Sequence, residues 1–289
     1  MEILKHILPI LLTVSLALLV VAAGIASSRG DFAYVLGRPS LLFRAFLAIV
    51  VIPVIAAIAV ISVFPASNAA KAGIFLMAIS PVPPLMPGKA LKFGGSAGYV
   101  YGIQGAAALM ALFTVPLLGL MGSRLYHVDA QFPVEIVARN IFAGLVVPLA
   151  VGIAIGRWLF PKASPALPRY IIIVADILLV IVFIPLMIGA ARDIGALIGD
   201  GTVVAMAVVI LVALVGGHLL GGPDAADRPT LGVAASLRHP GIALALAGAN
   251  HAAKPVTAAV LLFLLVGMVV LTAYQIVMRR RKPEPAAQL

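Results

Sequence analysis

The sequence predicts an all-α integral membrane protein of about nine transmembrane helices, two of them broken. Three observations predict it. Of 289 residues, 63% are hydrophobic and only 10% charged, giving a mean hydropathy of +1.18. Such a composition leaves too little polar surface to cover a water-soluble domain, so a soluble enzyme is excluded. Apolar runs long enough to cross a hydrocarbon layer of roughly 30 Å recur along the whole chain. Two of those runs carry glycine and proline in matching places.

Taken in order, the first run covers residues 5–27. A cleaved signal peptide is the alternative reading there, but Glu2 spoils the basic start and Ala22 to Ser28 offers no clean cleavage triplet. Arg38-Pro39 opens the second run, 41–63, and Phe64-Pro65-Ala66-Ser67-Asn68 closes it. The third and fourth, 72–96 and 98–121, meet at Gly94-Gly95-Ser96. The fifth, 133–157, ends before Pro161-Lys162-Ala163-Ser164-Pro165, and the sixth covers 169–191. The seventh, 202–221, stops at Gly221-Gly222-Pro223-Asp224. The eighth and ninth, 229–250 and 255–278, are separated by Lys254-Pro255. No stretch between the runs is long enough for a soluble domain, so 1–289 reads as one transmembrane domain. Residues 5–121 form a first repeat, 133–157 an extra helix, 169–278 a second repeat, and 279–289 a basic cytoplasmic tail. The odd helix between the copies inverts the second.

Charge sets the orientation. Twenty Lys and Arg against ten Asp and Glu leave a formal charge of +10. In a soluble chain that excess would suggest nucleic acid, but here the basic residues fall between apolar runs and no nucleic-acid partner is expected. With the C-terminus inside, the cytoplasmic side carries Arg29, Arg38, Arg44, Lys89, Lys92, Arg157, Lys162, Arg169, Arg228 and the run Arg279 to Lys282, thirteen in all. The other side carries six: Lys5, Lys71, Arg124, Arg139, Arg192 and Lys254. The bias places the C-terminus in the cytoplasm and, after nine crossings, the N-terminus outside, in a multi-pass protein of the cell inner (plasma) membrane.

In the third run, Ser80-Pro81-Val82-Pro83-Pro84-Leu85-Met86-Pro87 packs four prolines into seven positions. Each proline deletes a backbone donor and clashes with the preceding turn, so no continuous helix survives. The eighth run repeats the pattern, with Pro240-Gly241 following Gly232 at the same interval that separates Pro81 from Gly73. Unwound backbone at membrane depth is tolerated only where protein or a watery cavity satisfies it. A matched pair of interrupted spans points to a carrier built from inverted repeats with a midplane site; the bland reading is a pair of kinked structural helices.

At these residues the sequence resembles the bile acid:sodium symporter family. Gly37-Arg38-Pro39 resembles the family's basic-Pro opening of the second span, and Ser80-Pro81 lies where the family has its first break. Asp224-Ala-Ala-Asp227, then Leu237-Arg238-His239-Pro240-Gly241 through Ala247, follow its second crossing helix; Ala252-Ala-Lys-Pro255 resembles the start of its last span. The resemblance implies a core of spans two, three, four, seven, eight and nine against a panel of one, five and six, with solute moving between them by alternating access. It also implies sodium held by a Glu and a Gln in the second break, yet those positions are Ala234 and Arg238 here. The hydroxyl and amide positions near the first break become Met86 and Pro87, and those in the next span become Gln104 and Ala108. Sodium needs several oxygens close together, whereas arginine brings a fixed positive charge. The usual sodium sites are therefore not expected, and no cofactor is.

The residues expected to bind substrate are Ser80, Gln104, Ser236, Arg238 and His239. A charge at the bilayer centre costs at least about 2.5 kcal/mol, so Arg238 needs a reason. It either grips an anionic solute, helped by the half-helix starting near Gly241, or acts as a cationic plug on bare carbonyls. Ser80, Gln104 and Ser236 could equally make helix-to-helix hydrogen bonds. Asp176 interrupts an apolar run and is either a proton carrier for ion coupling, a structural partner for an arginine on a neighbouring helix, or a residue near the cytoplasmic interface reaching water. Lys89 and Lys92 read first as inside-positive anchors. Zero cysteines and five scattered histidines argue against a metal site. The competing classes are an intramembrane metal-dependent transferase, supported only by Asp224 and Asp227, and a non-transporting sensor or scaffold. Those two aspartates read more simply as loop residues capping the helix near Pro229. The expected function is secondary transport of a small organic anion across the lipid bilayer.

Overall fold

The structure, a computed structural model, describes residues 2–126, 129–160, 166–222, 224–225 and 227–281. The punctuation at Pro161–Pro165, Pro223 and the tail from Lys282 onward lie outside the described residues. Among the described residues the chain is helical and crosses nine times. The crossings are Glu2–Ala26, Pro39–Val63, the halves Asn68–Ile79 and Met86–Lys92, Ala97–Leu125, Val134–Leu159, Leu167–Leu197, Thr202–Leu220, the halves Arg228–Ser236 and Pro240–Ala249, and Lys254–Arg281. Seven helices are long and apolar enough to span a membrane by themselves, counting the eighth across its break. The first adds the apolar stretch Ile10–Ala26 and the third is divided.

Local chemistry explains the edges. Ser67 starts the third span by accepting the Ala70 N–H at 3.2 Å, four residues earlier than the apolar run begins. The sixth span continues past residue 191 to Leu197, because no breaker interrupts Ala191-Arg192-Asp193 before the glycines at 199 and 201. Wide π-turns at Leu47–Val51 and Phe142–Val146 sit just before Pro53 and Pro148, whose missing N–H groups relax the ladder there.

Packing divides the spans into two groups. The first span runs against the fifth and sixth; the second, third, fourth, seventh, eighth and ninth pack on one another. The ninth also touches the sixth, and the fifth meets the fourth and the second half of the eighth. This is the panel and core that the sequence reading expects. Lipid tails are as apolar as leucine, so close backbone approach rather than burial drives such packing. A Cβ on Gly24 of the first span would stand 2.7 Å from the Leu149 carbonyl of the fifth. One on Gly217 of the seventh would stand 2.6 Å from the Leu231 carbonyl of the eighth. The outer surface is apolar as well: Val63, Phe113 and Trp158 are each more than three-quarters exposed, in a belt that only acyl chains would cover.

Candidate functional site

Proline marks both breaks, directly after the Ser80 cap in the third span and three residues after the Leu237 cap in the eighth. A residue before proline is pushed out of helical backbone, and Ser80 is extended at φ −69°, ψ 145°. Residues 80–85 cross without a helical ladder, then a turn closed by Met86 N–H to the Pro83 carbonyl at 3.0 Å starts the second half. Pro87 is therefore a first-turn residue of that half, where a missing N–H is harmless, rather than part of the break itself. Pro240 and Gly241 likewise begin the half Pro240–Ala249, so the second break consists of Leu237, Arg238 and His239.

The backbone groups freed at one break are met by the other. The His239 N–H donates to the Pro81 carbonyl at 2.9 Å. The Arg238 guanidinium donates to the Ser80 carbonyl at 3.0 Å and to the Ala235 carbonyl at 2.6 Å. Arg238 is only 4% exposed, and among the described residues no carboxylate pairs with it. Its contacts are bare carbonyls at two helix ends, where partial negative charge gathers and a cation is favourable. The His239 ring caps the outgoing half-helix, Nδ1 accepting the Ile242 N–H at 3.3 Å, which leaves the proton on Nε2. Ser80 and Ser236 turn their hydroxyls back onto Leu76 and Val233 of their own helices, at 2.7 and 3.2 Å. The half-helices also pack in pairs, Asn68–Ile79 on Pro240–Ala249 and Met86–Lys92 on Arg228–Ser236.

Two further links tie the halves of the chain at opposite ends of the crossing. Asp227 does not cap its own helix as expected. Its carboxylate instead accepts the Ser96 N–H and hydroxyl, each at 3.0 Å, because Ser96 opens the fourth span beside it and the backbone at Asp227 is already helical. At the other end the Asn250 amide exchanges two hydrogen bonds with the Gln131 backbone, at 2.6 and 2.8 Å.

The crossover divides the expected site residues between two cavities. Toward the panel, about 290 Å³ of space, much of it at an open mouth, lies among Pro81, Pro84, Gln104, Ala108, Asn140, Gly144, His239 and Ile242. On the other side, a small recess, about 240 Å³ with its open mouth included, is lined by Ser80, Pro81, Thr114, Arg238 and apolar residues of the second, third and fourth spans. Gln104 and His239 thus share the panel-side cavity, Ser80 and Arg238 share the second, and Ser236 lines neither. Asp176 is exposed on the outer surface of the sixth span and lines neither cavity; Lys89 and Lys92 are exposed too. Asn140 and Gly144 are cavity residues that sequence reading missed. The signal was there: Asn140 is an amide at the head of an apolar run that holds Gly144 and Pro148.

Gln104 is 4% exposed, its Oε1 has no hydrogen-bond partner, and among the described residues its carboxamide bonds to no protein group. A buried amide so placed is an unmet demand for a ligand or water. Among the described residues no three acidic, histidine or cysteine side chains converge as metal ligands would.

Comparison with known proteins agrees with this architecture. The family model described as Sodium Bile acid symporter family matches residues 13–197. The match includes the first break, Gln104 and the fifth span, and stops before the second break. No curated protein matches the chain significantly.

Proposed function

The chain belongs to the sodium bile acid symporter family, a family of transporters rather than enzymes, and from that premise we propose that it is a secondary carrier of a small organic anion with Arg238 standing in for the coupling cation. One observation carries the reading: two unwound segments meet inside a membrane protein and leave a cavity between the crossing and the fifth span. Such backbone is stable only against protein or a watery cavity, and here each break meets the other's freed groups beside an open recess. A panel of three spans resting on a core of six offers the sliding surface that alternating access requires, with the cavity at the seam. The repeats 5–121 and 169–278, related by inversion, would make the two open states near-equivalent.

The positive charge argues for an anion. A guanidinium held among carbonyls keeps its charge at every stage of the cycle, unlike a sodium ion that enters and leaves. It neutralises the carbonyl ends of Asn68–Ile79 and Arg228–Ser236, the task a bound cation would perform there, and supplies positive potential to both cavities. The position aligned with an acidic sodium ligand is Ala234, fully buried and without a side-chain oxygen to offer. Transport is therefore independent of sodium.

The test is uptake of radiolabelled organic acids into proteoliposomes, with sodium or with choline in its place. The expected result is equal uptake in both media, lost in Arg238→Gln. Sodium-stimulated uptake that survives Arg238→Gln would remove the resident-cation half of the proposal. Failure of every acid to enter, with folded protein in the vesicles, would remove the whole.

A further inference from the structure

Gln104 and Asn140 face one cavity from opposite sides, one on the core and one on the panel. Their amides differ in what they leave open. Asn140 donates its Nδ2 to the Ile136 carbonyl at 2.8 Å, which fixes the side chain and leaves Oδ1 as an acceptor. Gln104 spends neither end on the protein and can turn an N–H toward the cavity. His239 stands on the same wall with its free ring N–H, beside the N-terminus of the ten-residue half-helix Pro240–Ala249. That wall offers donors and positive helix potential; the panel wall offers an acceptor.

We infer that the cavity selects acids carrying a hydroxyl on the carbon next to the carboxylate, the carboxylate bound by Gln104 and His239 on the core and the hydroxyl donated to Asn140 Oδ1 on the panel. The inference rests on the carrier reading and narrows its substrate to short 2-hydroxy acids. The geometry also gives the hydroxyl a role in transport, because its bond reaches across the seam and holds panel to core only when the right solute is bound. Gly144 lines the same space, and a Cβ there would meet nothing within 4 Å. A side chain added at that position starts out into open space beside the cavity.

Malate and succinate differ by that one hydroxyl, and the experiment compares them as ligands for thermal stabilisation of the purified protein and as solutes in proteoliposomes. Malate should half-saturate at roughly 3- to 10-fold lower concentration than succinate, the span of one hydrogen bond. Asn140→Ala should erase that preference, so that malate needs the same concentration as succinate. Gly144→Leu should abolish both responses with the ligand-free unfolding temperature retained. Equal handling of the two acids by the unaltered protein, or a preference that survives Asn140→Ala, overturns the hydroxyl inference and leaves the carrier reading standing. Neither acid binding, while other organic anions are transported, overturns the inference as well; no organic anion transported at all overturns both.

Discussion

Replacing Gln104 with leucine should make the protein more stable and less active. The carboxamide is 4% exposed and its Oε1 has no partner. A buried polar group left unpaired costs about 1–3 kcal/mol, and exchanging it for an apolar side chain of similar volume removes that cost. Hydrogen bonds inside membrane proteins average only about 0.6 kcal/mol, so the lower end of the range is appropriate. A gain of about 1 kcal/mol corresponds to a rise of roughly 2–4 °C in unfolding temperature for a chain of this size. Gln104→Leu in detergent, followed by thermal unfolding, should show that rise, while uptake in proteoliposomes falls at least tenfold. The opposite pattern, a drop of several degrees with transport intact, would mean that the amide braces the helices and that the panel-side cavity is not where solute binds.

Three other substitutions probe the frame around the cavity. Arg238→Lys keeps the charge but cannot bridge the Ser80 and Ala235 carbonyls in fork geometry; losing one charge-assisted bond costs about 1.5–3 kcal/mol, seen as a lower unfolding temperature with sodium-independent uptake partly retained. Asp227→Ala strands the Ser96 N–H and hydroxyl at the start of the fourth span, for a loss of about 1–3 kcal/mol on thermal unfolding; Asp227→Asn should recover part of it. Gly152→Leu drives a side chain into the Val21 backbone and separates the first span from the fifth, so folded protein should be lost on size-exclusion chromatography, whereas Gly144→Leu should elute normally.

Much of this was open to reading before any coordinates, and the reason is chemical. Oil penalises an unpaired amide wherever it lies along the chain, so apolar length announces each span and proline announces each interruption. The breaks at Pro81 and Pro240 needed no tertiary knowledge. Some edges slipped: Ser67 captured an extra turn for the third span, and Leu197 extends the sixth, because single hydrogen bonds and breaker positions decide ends. Asp227 shows a deeper limit. Its spacing suits a local cap, yet its carboxylate serves Ser96, 131 residues away, since a partner brought near by packing is invisible to local pattern.

The site itself divides in the same way. Sequence alone determined a nine-span membrane protein, its two broken crossings, its kinship, and the oddity of an arginine where an uncharged ligand was expected, because each follows from residue type and position along one chain. Only the tertiary structure decided that Arg238 grips the opposite break, that Ser80 and Ser236 bond their own helices, and that Asn140 and Gly144 face Gln104 across a seam. A helix has many faces, and hydropathy is silent about which one turns toward its neighbours when every side is greasy. Contact between distant segments is settled by packing, and packing exists only in three dimensions.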